Sequence, residues 1–333
     1  MFFPATNRTT AGRWCLPAVL ALACFLSLAG CGAGGSPAVY LFSVLNDRAQ
    51  VGPQTYTSIS GTVLVPLTSD GRNIVPHISG FRDPRFLHVG DRYYYSYTAG
   101  HHHSPSIGLI YSTDLQNWVP VATPDWSELT IGHENAVWNG SWWNDNGAYY
   151  MFFGTCERAT TLCTPFVVPF DPATATFGRP QAISFTTRPY YHYAIVMSVF
   201  QSAGTNWALL QTRGPTGNSV VALASFASLS SPWVTNWQML GKQPSHKESG
   251  AAIVLPNGEP RVYYVQTGGG ELLYTTASDE DPSTATWSPP QAIPPFQRKY
   301  QPADWVDVVQ ISDPTAIETI ARLRGANSGA AAN

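Results

Sequence analysis

Apolar and polar residues alternate along most of this chain in short runs, each closed by Gly, Asn, Asp or Pro. Period-two runs bounded by turn formers read as β-strands, not helices. One unit recurs: a polar residue, an alternating apolar run, a Gly/Asn turn, an aromatic strand and a closing threonine. Its copies are RDPRFLHVGDRYYYSYT (82–98), ENAVWNGSWWNDNGAYYMFFGT (134–155), HYAIVMSVFQSAGTNWALLQT (192–212) and ESGAAIVLPNGEPRVYYVQT (248–267). The closing residues Thr98, Thr155, Thr212 and Thr267 are 57, 57 and 55 apart. A third strand follows each copy (IGLIYST, TPFVVPF, NSVVALASF, GELLYTT), then a polar turn and an aromatic at Trp118, Phe177, Trp237 or Trp287.

A hairpin with one or two further strands is the unit of a β-propeller blade. A fifth copy opens at Asp304 in ADWVDVVQIS but is incomplete. SDPTAIETIARLRG (312–325) reads as a short helix, with Asp313 as cap, Pro314 in the first turn and Gly325 as stop. The early segments VYLFSVL (39–45) and ISGTVLVPL (59–67) are therefore expected to complete the fifth sheet. Two stacked β-sandwiches are the alternative. The recurring period favours an all-β, single-domain, five-bladed β-propeller over 38–325, with 326–333 as a disordered tail.

The ends of the chain change the compartment. Arg8 and Arg13 precede an apolar run from Cys15 to Gly30, too short to span a membrane comfortably. It closes in Leu28-Ala29-Gly30-Cys31, which resembles a bacterial lipoprotein signal with Cys31 as the lipidated first residue. That reading makes 1–30 a signal peptide, 31–37 a flexible tether, and the protein an exported lipoprotein of the outer membrane, cell surface or periplasm. Removing the signal takes the net charge from −3 to −5. Lysine occurs only at 242, 247 and 299, so the basic stripe that nucleic-acid binding needs is missing. Cys156 and Cys163 are the two cysteines left over. An oxidising compartment permits a disulfide between them, and two thiols alone cannot complete a zinc shell.

Only 12% of residues are charged. Against that scarcity, the inner-strand starts of the five repeats hold Asp83, Glu134, His192, Glu248 and Asp304, which a propeller would gather around one mouth. Acids crowded there have their pKa values pushed apart. That suits glycosidic hydrolysis, where one carboxylate activates water and a second, protonated carboxyl serves the leaving oxygen. Trp126 and Trp305 are candidate platforms for sugar rings, and Glu134, Arg82 and Asp304 candidate substrate contacts. Trp142 and Trp143 read as packing between blades. His101–His103 read as a rim loop, because consecutive residues rarely address one ion. No cofactor or metal is expected. The expected partners are an oligo- or polysaccharide and, through Cys31, a membrane; the chain is expected to act as a monomer.

FRDPRFLHVGDRYYYSYT followed by SIGLIYSTDLQNW resembles the first blade of the five-bladed glycosidases, especially glycoside hydrolase family 43. The resemblance implies Asp83 as general base and Glu248, in KESGAAIV, as general acid, acting with inversion on an arabinofuranoside- or xyloside-type substrate. The family's Glu-Gly-Pro context is altered at Glu248, with Gly one residue late and Pro missing. Blade three departs more: RPYYHYAIVMSV offers His192 where the family places a pKa-tuning Asp, so His192 is the third catalytic candidate. Related families 32 and 130 share fragments. Family 32 lacks its Asn-Asp-Pro-Asn-Gly and Glu-Cys strings here. A family 130 phosphorylase would want a cationic phosphate site, for which Arg82, Arg85 and Arg188 are scattered candidates. The altered site also leaves a non-catalytic glycan-binding lipoprotein as the alternative function.

Overall fold

A computed structural model describes residues 38–45, 53–68, 73–76, 78, 82–99, 106–129, 135–157, 162–214, 217–235, 247–266, 270–294 and 303–326. The signal, tether, Cys31, Glu134, the His101–His103 loop, Trp237, Thr267 and the expected tail from residue 327 lie outside them. In chain order the strands are β1 (Val39–Leu45), β2 (Gln54–Ser58), β3 (Val65–Pro66), β4 (Arg82–Val89), β5 (Arg92–Thr98), β6 (Ile107–Ser112), β7 (Val119–Val121), β8 (Asn135–Asp145), β9 (Ala148–Glu157) and β10 (Leu162–Asp171). They continue with β11 (Thr176–Phe177), β12 (Gln181–Ala182), β13 (Ala194–Ser202), β14 (Thr205–Arg213), β15 (Ser219–Phe226), β16 (Lys247–Val254), β17 (Pro260–Gln266), β18 (Glu271–Thr276), β19 (Gln291–Ala292) and β20 (Trp305–Ile311).

These strands form five antiparallel sheets. Blade one is β4-β5-β6-β7, and blade two β8-β9-β10-β11 with β12 also on β10. Blade three is β13-β14-β15 and blade four β16-β17-β18-β19. Blade five is β20-β1-β2-β3, so the last strand of the chain lies beside the first. Register runs from Val39↔Ile311 to Leu45↔Trp305. The inner strands β4, β8, β13, β16 and β20 touch in a closed ring, which makes the molecule a five-bladed propeller. The expected strand 59–67 is corrected: β2 at 54–58 takes that place, and 59–64 bends around Gly61, whose φ is 71°. Only Val65 and Pro66 pair, at the sheet edge.

Alternation along a strand here serves two cores. In β1, Leu41 and Leu45 pack toward blade one, whereas Tyr40, Phe42 and Val44 pack toward blade four. In β14, Trp207 and Leu209 face blade four, and Ala208 and Leu210 face blade two. Each blade is thus buried on both faces, which corrects the strict alternation expected: strands such as RYYYSYT and AIVMSVFQS carry apolar residues at successive positions. Five hydrophobic clusters fill the five gaps between blades. Adjacent Trp142 and Trp143 turn to opposite sides, one toward blade one and the other toward blade three. Helix α1 (Pro314–Ala326) is capped by Asp313, whose Oδ1 accepts the Ala316 N–H at 2.8 Å. Its Ala316, Ile320 and Leu323 join the cluster between blades five and one.

Cys156 and Cys163 form a disulfide across the hairpin of β9 and β10, where they stand directly opposite. The STDLQNW segment is a side-chain-built turn. Asp114 Oδ1 accepts the N–H groups of Gln116 and Asn117 at 2.8 and 2.7 Å. Burial raises the Asp114 carboxyl, but these donors and the Asn117 and Ser112 side chains together outweigh it and hold the carboxyl at about 2.

Candidate functional site

Neighbouring inner strands meet in step. Asp307 of β20 bonds Phe86 N–H of β4, Ser249 of β16 accepts Val306 N–H of β20, and Ser198 of β13 accepts Ala252 N–H of β16. At the far ends, Ser202 of β13 donates to the Gly258 carbonyl just after β16. The inner strands therefore run parallel, and their starts share one face. Arg82 and Asp83 open β4, His192 lies two residues before β13, Lys247 and Glu248 open β16, and Asp304 precedes β20. The Glu248 side chain, unlike its backbone, lies outside the described residues, as does the whole of Glu134.

Asp83 sits in a β-bulge. Register jumps between Arg82↔Thr98 and Arg85↔Ser96, leaving Asp83 and Pro84 opposite Tyr97. Its φ is 53°, in the left-handed region, and its side chain is 3% exposed. The Thr98 hydroxyl donates to Asp83 Oδ2 and accepts the Asn139 N–H at 2.8 Å. Asn139 Nδ2 returns a bond to the Asp83 carbonyl at 2.6 Å, and Asn139 Oδ1 accepts from Ser96 at 3.1 Å. The Trp142 indole N–H donates to the same Ser96 hydroxyl at 2.9 Å. This buried network clamps blade one to blade two and fixes the Asp83 carboxylate in one orientation.

Left-handed backbone marks the other side of the mouth too. Asn146 and Ala203 have positive φ in hairpin turns, and Leu115 in the Asp114 turn. Tyr191 and His192, at φ 56° and 52°, have no hairpin to explain them; they lie in a tight turn before β13, in which the His192 N–H donates to the Pro189 carbonyl at 3.1 Å. Such strain in bulky residues concentrates at functional sites. Tyr193 follows, its carbonyl accepting from Thr212 at 2.6 Å and its ring lying 4.9 Å from the Arg213 guanidinium. Two of the repeat's closing threonines, Thr98 and Thr212, thus act as cross-links at the mouth.

Below the mouth, Arg85 lies on the inner strand of blade one, 1% exposed. Its Nη1 donates to Asp307 Oδ1 at 3.0 Å, to the Val306 carbonyl at 3.1 Å and to the Gly250 carbonyl at 3.3 Å. One side chain therefore joins blades one, four and five. Its Nε and Nη2 are buried and unpartnered. Burial pushes the Asp307 carboxyl above its ordinary value, although Arg85 and the Phe86 and Val308 N–H groups pull it down.

Three sequence expectations are corrected here. Trp126 is 3% exposed and stacks on Phe153 at 4.3 Å, so both its faces belong to the core between blades one and two. Trp305 is 8% exposed, with the Arg85 guanidinium 5.2 Å from its ring; it packs between blades five and one. Neither offers a platform to a sugar. Arg85 is sequestered by Asp307 and is no free phosphate ligand. Asp304 is half-buried, and its N–H bonds the Leu45 carbonyl at 2.8 Å. Among the described residues no three His, Cys, Asp or Glu side chains gather as a metal site.

The sequence matches the family model described as Glycosyl hydrolases family 43 over residues 75–246. No curated protein matches it. Among solved structures, an endo-1,4-beta-xylanase from Bacteroides thetaiotaomicron is 14% identical, with a TM-score of 0.52 over 77% of this chain and 92% of that one. A protein of unknown function from Dyadobacter fermentans is 15% identical, with a TM-score of 0.52 over 75% and 79%. An alpha-L-arabinofuranosidase from Lactobacillus brevis is 15% identical, with a TM-score of 0.49 over 63% and 73%. The first two share the fold.

Proposed function

The chain belongs to glycosyl hydrolases family 43 and is a glycoside hydrolase; from that premise we propose an inverting two-carboxylate mechanism with Asp83 as general base. The observation that carries this is the setting of Asp83: strained, recessed, oriented by Thr98 and placed at the start of the first inner strand within the matched segment. Asp83 takes a proton from water as the water oxygen bonds to the anomeric carbon. Glu248, at the start of β16, gives its proton to the leaving oxygen as the glycosidic bond breaks. His192, opening blade three, and Glu134, opening blade two, tune the pair and bind sugar hydroxyls. Arg82 and Asp304 line the same mouth. An arabinofuranoside or xyloside is the proposed substrate class, and a lipid on Cys31 would hold the monomeric enzyme at the cell envelope.

The test is hydrolysis of a glycan panel rich in arabinosides and xylosides, with the first-formed anomer followed by proton NMR. Inverted product is expected. Retained product would refute the base role of Asp83. Binding without turnover across the panel would favour the non-catalytic reading, which the histidine in place of an acid at blade three motivates.

A further inference from the structure

A cavity of about 230 Å³ opens at the end of the inner strands opposite their starts, between the hairpin tips of blades two and three. Trp143, Asn144, Asp145, Asn146, Phe200, Gln201 and Asn206 line it. Both tips are tight turns of the type whose two central residues are left-handed: Asn146 and Gly147 at φ 52° and 93°, Ala203 and Gly204 at 49° and 71°. Blade two's tip is further fixed, because Asn144 Oδ1 accepts the Gly147 N–H at 2.8 Å and Asn146 Nδ2 donates to Asp145 Oδ1 at 3.0 Å. Trp143 and Phe200 are anchored in the cores on either side of blade three. The cavity is therefore preformed, and its exposed lining is mainly polar.

We propose that this cavity is a secondary carbohydrate-binding site for one sugar unit of a polymeric chain, remote from the candidate catalytic mouth. Four amide side chains each offer donors and an acceptor, which match sugar hydroxyls that both give and take hydrogen bonds. Asp145 adds a charged acceptor. Among the described residues no cation lines the cavity, which disfavours phosphates and other anions, and a single carboxylate is too few for a metal. Trp143 and Phe200 are only 8% and 6% exposed, so recognition here would rest on hydrogen bonds to the polar rim, which disfavours a wholly apolar ligand. The choice of sugar as ligand rests on the glycosidase reading; the position does not.

The test uses the protein with Asp83→Asn, so that polymer survives, run in native gels containing arabinan, arabinoxylan or galactan. Retardation by at least one polymer is expected. Adding Gln201→Ala and Asn206→Ala should weaken it about tenfold in apparent Kd, as the loss of two hydrogen bonds implies. The same pair in the otherwise wild-type enzyme should leave its melting temperature and hydrolysis of a small aryl glycoside unchanged. Equal retardation with and without the pair, or no retardation by any polymer, overturns the proposal. So does parallel loss of aryl-glycoside hydrolysis, which would place the pair at the catalytic mouth. Polymer binding that depends on the pair, in a protein with no hydrolytic activity, would refute the mechanism and leave this site standing.

Discussion

Replacing Arg85 by methionine removes the positive half of the ion pair joining blades one and five. At 3.0 Å and an effective dielectric near 20, the lost attraction is about 5.5 kcal/mol. The Val306 and Gly250 carbonyls lose a donor, while Asp307 keeps its bond from Phe86 N–H. An uncompensated buried charge of this kind costs about 3–5 kcal/mol. At about 2 °C per kcal/mol for a domain of this size, the melting temperature should fall by about 6–10 °C at pH 7. The double variant Arg85→Met with Asp307→Leu behaves differently. Desolvation of both groups offsets most of the attraction in a buried ion pair, so its net contribution is small, and the apolar pair should melt near wild type. The pH dependence has a definite sign. Asp307 is held above its ordinary value by burial, and losing Arg85 raises it further. Such a carboxyl binds its proton more tightly folded than unfolded, so the single variant's deficit should shrink on acidification as Asp307 protonates. Circular dichroism melts at pH 5 and pH 8 read all of this. A single variant within 2 °C of wild type, or a double variant as unstable as the single, would refute the reasoning.

Gly140→Ala should destabilise by about 3 kcal/mol in chemical unfolding, because its Cβ would stand 2.6 Å from the Val196 carbonyl oxygen and 2.8 Å from that of Phe152. Cys163→Ser opens a short hairpin loop and should lower unfolding free energy by about 2 kcal/mol, with the wild type losing as much under reductant. His88 is held below its ordinary value by burial, against the pull of Asp313, the Gly90 backbone and Asp91. Its neutral form fits the fold, so its contribution is intact above the unfolded value of about 6.5 and lost as pH falls below it. Between pH 7 and 5, His88→Gln should therefore lose less melting temperature than wild type.

The propeller was legible because the closing threonines repeat at 57, 57 and 55 residues; each blade is one turn of the period. The helix cap at Asp313 and the disulfide were legible for local reasons, a capping side chain and two cysteines facing across one hairpin. What escaped was non-local. Arg85 and Asp307 meet across a separation of 222 residues, and neither has a neighbour in sequence that marks the pair. Trp126 and Trp305 lie beside loops, where exposure is the natural expectation. A propeller instead uses large aromatics to fill wedge-shaped gaps between twisted sheets, and both rings went there. The third strand of blade five is not legible, because ISGTVLVPL is more apolar than QTYTS, yet Gly61 bends it away. Asp83 and His192 are legible as strand-start residues, but their left-handed backbone is not, since Asp-Pro and Tyr-His carry no glycine to announce it.

Hydrolysis by this propeller stands or falls on Asp83. Turnover of the glycan that wild type hydrolyses fastest should be measured for Asp83→Asn, with the fold checked by its melting temperature. Its kcat should fall at least about a hundredfold, as loss of a general base requires, while the substrate still binds. A folded Asp83→Asn variant that keeps wild-type kcat would contradict it.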